Sequence, residues 1–308
     1  MKKNVLSLFD GISGCQLALK KAKIEIDQYY ASEINESGMT ITQHRFPNTI
    51  QLGDVSKIDA NKLPKIWLLT AGSPCQDFSL AGKRKGMTTK DEEEITSLTQ
   101  YLKLKNKGYK FQGQSYLFWE FIRLYHELKP KYFFLENVRM SDKWKYIISR
   151  ELNCYPILIN SKLVSAQNRE RYYWTNIPNL SEPKNKFILL SDVIPNAIGG
   201  YGVRGTNQGE TKPDGSIYWT RKGTTRTDFK ANCITTKKGP TSMIKLNDGT
   251  IRSLTIEEAE TLQTLPKNYT KVPGVTQGER WHGIGNGWTI DVVAHIFKGM
   301  KKDLVKRK

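Results

Sequence analysis

The chain has 308 residues, 38% of them apolar and 25% charged, a balance that excludes a disordered polymer and supports one large core with a smaller second domain. No apolar run approaches the ~20 residues that span a bilayer, so no membrane partner is expected. The net charge of +18, from 48 Lys and Arg against 30 Asp and Glu, favours a polyanion such as nucleic acid as partner.

Met1-Lys2-Lys3-Asn4 leads straight into Val5–Phe9, a buried-strand pattern too short for a signal peptide, and a cytoplasmic protein is expected. The turn Asp10-Gly11-Ile12-Ser13-Gly14 follows, then a helix over Cys15–Ala22. Tyr29–Ser32, Thr49–Leu52 and Ile66–Thr70 read as further strands. Gly82–Gln114 is polar, with Ile95, Leu98 and Leu102 on one face of a short helix; its position after a strand end suggests a lid or a surface insertion. Ser115–Leu128 has strong helical spacing in Leu117, Phe118, Phe121, Ile122, Tyr125 and Leu128, and Pro130 ends it before a strand at Tyr132–Leu135. Alternating strands and helices predict an α/β fold with a doubly wound parallel sheet, whose ligands bind at the carboxyl ends of the strands. From 178 to 251 helical periodicity vanishes and glycine becomes frequent, which predicts a small, irregular, mostly β domain. Helices resume at Thr255–Leu265, where Thr255 and Glu258 have capping-box spacing, and at Thr289–Phe297. The larger domain is thus expected to comprise 1–177 and 252–308.

Five motifs fall at expected strand ends. The glycine turn offers close backbone approach and a helix N-terminus, but lacks a full Gly-x-Gly-x-x-Gly. Glu33 stands where a carboxylate can accept ribose hydroxyls, and Asp54 where one can accept an adenine amine; each could equally be a solvated acid. Together the three favour an adenosine-containing cofactor. Gly72-Ser73-Pro74-Cys75-Gln76-Asp77-Phe78-Ser79 holds a cysteine in a stiff turn facing the cleft, as a nucleophilic thiolate requires. Glu136-Asn137 ends the next strand. Cys15, Cys75, Cys154 and Cys233 show no Cys-x-x-Cys spacing and the four histidines are scattered, so no metal and no disulfide framework is expected.

These motifs, in this order, resemble the DNA (cytosine-5) methyltransferase family. Pro74-Cys75-Gln76-Asp77-Phe78-Ser79 with Leu80–Gly86 is similar to its nucleophile motif and catalytic loop, and Glu136-Asn137-Val138 to its Glu-Asn-Val element. Gln167-Asn168-Arg169-Glu170-Arg171 is similar to Gln-x-Arg-x-Arg; Arg252–Thr255 with Glu258, and Gly285-Asn286-Gly287, resemble the elements after the target-recognition region.

The resemblance implies a Rossmann-like S-adenosylmethionine-dependent methyltransferase acting on double-stranded DNA as a monomer, of the kind found in restriction-modification systems. It implies that Phe9 packs on the adenine, that Glu33 holds the ribose, that Asp54 meets the adenine amine, that Leu117 lines the pocket and that Asn286 helps close it. Asp10, Gly11, Ile12, Gly14, Ile34, Val55, Gly72 and Pro74 complete the donor site. Cys75 becomes the nucleophile and Glu136 contacts N3 of the target base. Arg169 and Arg171 lie near both, with Arg171 suited to O2. Gln76, Ser79, Lys83, Arg84, Gln167, Arg204, Arg221 and Arg226 are the expected DNA contacts, the last three equally suited to guanine or phosphate. The chain departs from the family at Asp10 and Ser13, where many relatives carry Ala and Gly. It also departs at Ile34, where some place an aromatic, and in a longer 87–113 stretch. A tRNA-acting relative and an inactive DNA-binding paralogue are the alternatives. The residues after Pro-Cys-Gln and the sizeable recognition region argue against the first, and intact Cys75, Glu136 and Arg171 against the second.

Overall fold

The computed structural model describes residues 2–74, 87–91, 93–202, 208–211, 217–220, 223–239 and 242–305. The chain divides into two compact units. The first comprises Met1–Ile159, Glu170–Glu182 and Val292–Lys308; the second comprises Asn160–Arg169 and Pro183–Asp291. The expected recognition region, 178–251, supplies the strands β8–β12 of the second unit, which also takes in residues on both sides of it.

The first unit begins β1 (Asn4–Leu8), α1 (Gly14–Lys21), β2 (Gln28–Ser32), α2 (Glu36–Arg45), β3 (Ile50–Gln51) and β4 (Ile66–Gly72). It continues α3 (Leu98–Asn106), α4 (Phe118–Leu128), β5 (Tyr132–Val138), α5 (Asp142–Leu152), β6 (Ile157–Asn160) and β7 (Glu170–Thr175). Its sheet has the order β3-β2-β1-β4-β5-β7-β6. The order reverses between β1 and β4, which places a ligand crevice at their carboxyl ends. Strands β1 and β4 are buried along nearly their whole length, as fully covered strands must be.

The sheet is mixed rather than wholly parallel, because β7 runs antiparallel to β5. No crossover helix intervenes between β6 and β7, so the chain can turn directly back. The 87–113 stretch also differs from a lid. Met87, Ile95, Tyr101 and Leu104 are buried in the core, and Thr88 and Thr89 bridge to Glu94 and Phe111. Helix α3 starts at Leu98, where Ser97 caps the Gln100 amide, so Ile95 of the expected helix face precedes it.

Helix α4 buries Phe118, Phe121, Ile122 and Leu124 and ends on Lys129 in the left-handed conformation (φ +44°), one residue before Pro130. The closing helix α9 (Ile290–Val305) is longer than the Thr289–Phe297 expected from its apolar spacing.

In the second unit, α6 (Leu190–Val193) precedes β8 (Ala197–Gly202), β9 (Gln208–Thr211), β10 (Ile217–Thr220), β11 (Thr224–Thr225), β12 (Met243–Leu246) and β13 (Ile251–Ser253). Helices α7 (Ile256–Leu262) and α8 (Gln277–Asn286) follow. The strands form a sheet of order β11-β8-β12-β13 and a β9–β10 hairpin, both antiparallel. Two glycines of β8 have a packing reason. A Cβ on Gly199 would sit 2.7 Å from the Arg226 carbonyl oxygen, and one on Gly200 would sit 2.7 Å from the Asn232 amide. Both α7 and α8 open on capping boxes, Thr255 with Glu258 and Thr276 with Glu279.

In the first unit, fully buried Phe297 of α9 meets Phe134 of β5 edge-on, with centroids 5.2 Å apart at 77°. Phe297→Ala should lower unfolding stability by about 3–5 kcal/mol in urea titration; a loss below about 1 kcal/mol would show that this helix adds little to the sheet.

Candidate active site

The turn after β1 alternates left-handed residues: Phe9 (φ +55°), Gly11 (φ +58°) and Ser13 (φ +59°). For Phe9 and Ser13 such backbone is costly and persists only where the surroundings impose it. Here the imposing contacts run to β2 and α2. The Asp10 amide donates to the Ser32 carbonyl at 3.2 Å, and the Gly11 amide donates to Glu33 Oε2 at 2.7 Å. Helix α2 comes so close that a Cβ on Gly38 would stand 2.7 Å from the Gly11 carbonyl oxygen.

Glu33 organises this corner. Its Oε1 accepts from the amides of Ile34 and Asn35, each at 2.8 Å. Roughly four acceptor directions belong to a carboxylate, so Oε2 keeps one for an incoming hydroxyl. Ile34 beside it is 66% exposed and stands as an apolar surface at the mouth.

The next strand end repeats the arrangement. Asp54 caps a short 3₁₀ turn over Val55–Lys57, accepting on Oδ1 from the Ser56 amide at 2.9 Å and the Ser56 hydroxyl at 2.8 Å. Ser32 Oγ donates to the Gly53 carbonyl at 2.7 Å, which ties this turn to the end of β2. Val55 is buried, and half-buried Leu117 closes a 3₁₀ turn that runs into α4. Phe9, Glu33 and Asp54 thus stand past the ends of β1, β2 and β3, and Leu117 at the entry to α4: one aromatic, two carboxylates and one aliphatic group, side chains of the kinds that suit an adenosine moiety.

Asp10, Ile12 and Gly14 face inward instead. Ile12 is 2% exposed and Gly14 is buried at the start of α1. Asp10 is buried and accepts from the Tyr29 hydroxyl at 2.5 Å, while its Oδ2 has no partner among the described residues. Burial pushes its carboxyl up to about 6.

At the other side of the crevice, β4 ends in Gly72 and continues into Ser73 and Pro74. Asn137 holds that exit, donating from Nδ2 to Ser73 Oγ at 2.9 Å and to the Ser73 carbonyl at 3.3 Å. Glu136, 8% exposed, meets Arg171 Nε at 2.9 Å. The antiparallel run of β7 explains the pair. Its first residues lie beside the last of β5, and Arg171 is diagonal to Glu136 on the same face, because Glu136 pairs with Tyr173 and Val138 with Arg171.

Cys75, Gln76, Ser79, Lys83, Arg84, Arg204 and Arg221 lie outside the described residues. Of the three described cysteines, burial pushes the Cys15 thiol up to about 12 and the Cys154 thiol up to about 11, so neither is a ready thiolate at neutral pH.

Within the second unit, Gln167, expected at the DNA, is fully buried instead. Its Nε2 donates to the Leu262 carbonyl and Gln263 Oε1, both at 3.2 Å, and its Oε1 accepts from the Ile234 amide at 2.8 Å. Arg169 is 3% exposed. Its Nη1 donates to the Ile234 carbonyl at 2.9 Å and Cys233 Sγ at 3.4 Å; its Nη2 donates to the carbonyls of Gly285 and Gly287 at 3.2 and 3.0 Å. Those two carbonyls belong to the end of α8, where intrahelical donors run out. Asn286 between them is exposed. Arg226 is paired with Asp228 through Nη2 at 2.6 Å, and this contact holds the Asp228 carboxyl below its usual range.

The sequence reading missed the clamping of Ser73 by Asn137 and the main-chain bonding of Arg169. Both side chains stand inside quoted motifs, but spacing does not reveal whether a polar group points at a ligand or at the backbone. No three His, Cys, Asp or Glu side chains among the described residues converge as a metal site. No helix among them is long and apolar enough to cross a membrane.

The profile of the C-5 cytosine-specific DNA methylase family matches residues 3–196. An orphan methyltransferase of Bacillus phage rho11s is 34% identical over 191 residues, which cover 56% of this chain and 32% of that protein. An orphan methyltransferase of Bacillus phage SPbeta is 34% identical over 197 residues, 56% of this chain and 44% of that protein. The match therefore spans less than half the length of these relatives. A DNMT2 mutant from Spodoptera frugiperda superposes with a TM-score of 0.64 at 16% identity, over 97% of this chain and all of that one. The Entamoeba histolytica methyltransferase EhMeth gives 0.64 at 17% identity, over 99% of each chain. At those identities the likeness is one of fold.

The buried acid has a consequence for stability against pH. Between about pH 4 and 6 the folded state keeps a proton on Asp10 that the unfolded chain releases, so this contribution falls as pH rises and is gone above about 6. Asp10→Asn should flatten that fall and be more stable than the parent at pH 7 by roughly 1–3 kcal/mol, read from urea unfolding at several pH values. Parallel pH profiles for the two proteins would contradict a raised Asp10.

Proposed function

This chain belongs to the C-5 cytosine-specific DNA methylase family, and we propose that it moves a methyl group from S-adenosylmethionine to carbon 5 of a cytosine flipped out of a short specific sequence in double-stranded DNA. The observation that carries the reading is the Glu136–Arg171 pair at the end of β5, beside the Asn137-clamped exit that leads to Pro74 and Cys75.

Cytosine carbon 5 is a poor nucleophile. Addition of the Cys75 thiolate to carbon 6 makes carbon 5 enamine-like. Glu136 shares a proton with N3 and so stabilises the charge pushed into the ring, and Arg171 orients that carboxylate and is assigned to O2. When bound, S-adenosylmethionine supplies an electrophilic methyl carbon. Loss of the carbon-5 proton then breaks the Cys75–C6 bond and restores the thiolate. Glu33 and Asp54 take the ribose and adenine amine, with Phe9 and Leu117 on the base. By the family resemblance Asn286 is assigned to the donor and Arg169 to the reacting groups; within its own unit Arg169 holds the main chain at the end of α8.

A stacked base hides both ring faces, so the cytosine must leave the helix at a cost of about a few kcal/mol. Gln76, Ser79, Lys83 and Arg84 are assigned to the DNA from the catalytic loop, and Arg204, Arg221 and Arg226 from the glycine-rich segment. The net charge of +18 suits either nucleic acid, while the glycine-rich segment and the DNA methylase profile support DNA as the substrate over tRNA.

Cys75→Ala should abolish methyl transfer to duplex DNA while donor binding by calorimetry persists, and DNA carrying 5-fluorocytosine should trap the parent as a denaturant-stable adduct when donor is present. Turnover by the variant, or no adduct, would overturn the covalent scheme; transfer to tRNA in place of duplex DNA would overturn the substrate. Glu33→Ala should weaken donor binding at least about tenfold and leave DNA affinity in a gel-shift assay nearly unchanged; the reverse pattern would reject the ribose assignment.

A further inference from the structure

A second cluster lies away from the reacting groups, around Glu120. This residue stands in the apolar stripe of α4 between Trp119 and Phe121, and is fully buried. A buried carboxylate is tolerated only where it is paired and hydrogen-bonded. Glu120 accepts from Tyr101 Oη and Lys105 Nζ on one oxygen, and from Arg123 Nε at 2.7 Å on the other.

Both cations have donors to spare, and both spend them on one short turn. Lys105 Nζ donates to the Ser56 carbonyl at 3.4 Å, and Arg123 Nη2 to the carbonyls of Val55 and Ile58 at 3.4 and 3.1 Å. That turn is the 3₁₀ segment capped by Asp54. Tyr101 and Lys105 come from α3, inside the 87–113 stretch that exceeds the family pattern.

The same stretch reaches the second adenine-side element. Phe111 stacks on Tyr116 with centroids 4.6 Å apart at 24°, and Tyr116 immediately precedes Leu117. The Tyr116 hydroxyl feels Asp54 as well: burial first, then the Asp54 charge, push its ionisation upward. The insertion therefore touches both the Asp54 turn and the start of α4.

We propose that Lys105, anchored on buried Glu120, is a positioning residue that sets the Asp54 turn, so that the 87–113 insertion builds the adenine end of the donor site. This rests on the reading of Asp54 as the partner of the adenine amine. A carboxylate selects that amine only if held within hydrogen-bonding distance, and displacement by about 1 Å forfeits much of the interaction. Ser56 is bonded to the Asp54 carboxylate on one side and to Lys105 on the other, so the cation acts on Asp54 through one residue.

Calorimetric titration of the full chain with S-adenosylhomocysteine and with S-inosylhomocysteine, in which an oxo group replaces the amine, tests this. The parent should prefer the adenine compound by about tenfold or more, and Asp54→Ala should erase that preference. Lys105→Met should lower the thermal midpoint in the absence of ligand, because Glu120 loses one of its cations, and in the folded protein should reduce the preference by about threefold or more; Lys105→Arg should restore most of it. If Asp54→Ala keeps the parent's preference, the Asp54 assignment falls and the brace with it. If Asp54→Ala loses the preference while Lys105→Met keeps it, the brace alone is overturned. Should Lys105→Met not fold, Lys105→Arg and Lys105→Gln decide: equal preference in both overturns the charge-anchored brace.

Discussion

Three main-chain amides converge on one carboxylate, and much of the first unit's crevice follows from that. Gly11, Ile34 and Asn35 all donate to Glu33. The first of these bonds requires the left-handed turn after β1, and the other two fix where α2 begins. Gly38 is then needed because α2 must pass within contact of the Gly11 carbonyl. A side chain read from sequence as a ligand for a small molecule is therefore also the keystone of the protein's own corner. This dual use fits a site organised before anything binds, since the acceptor is already aimed and its loops already held.

The crevice is lined by unlike halves. Toward β2 and β3 the groups are carboxylates held by backbone amides; toward β5 they are an ion pair and an amide clamp. The second half depends on the reversal of β7. In a wholly parallel sheet the start of that strand would lie at the opposite edge, and Arg171 could not meet Glu136. The departure from the simple doubly wound pattern is thus what assembles the polar pair beside the end of β4.

The sequence carried strands β1 to β5 and placed Glu33 and Asp54 just past β2 and β3, although β3 is short and its Ile50 is exposed. It carried α4, where stripe and proline agree, and the capped start of α7, which ends at Leu262, before the expected Leu265. Helix α2 was hidden because Glu-Ser-Gly-Met-Thr has no apolar stripe; it forms on the Asn35 cap and the close approach at Gly38. Helix α5 was legible and passed over, with Trp144, Ile147, Ile148 and Leu152 at helical spacing, all buried. Strand β7 hid inside a motif read for its charges. Glu120, an acid amid Phe118, Trp119, Phe121 and Ile122, was the visible mark of a buried partner; Arg123 stands at helical spacing from it, but Tyr101 and Lys105 come from α3, whose docking no local pattern encodes.

Arg169 and Gln167 grip the glycine-rich segment chiefly by the carbonyl and amide of Ile234, with one further contact from Arg169 to Cys233 Sγ. Attachment of that kind is blind to identity: any residue presenting the same peptide group could occupy the position. The segment can therefore drift in composition at that position while its mooring survives.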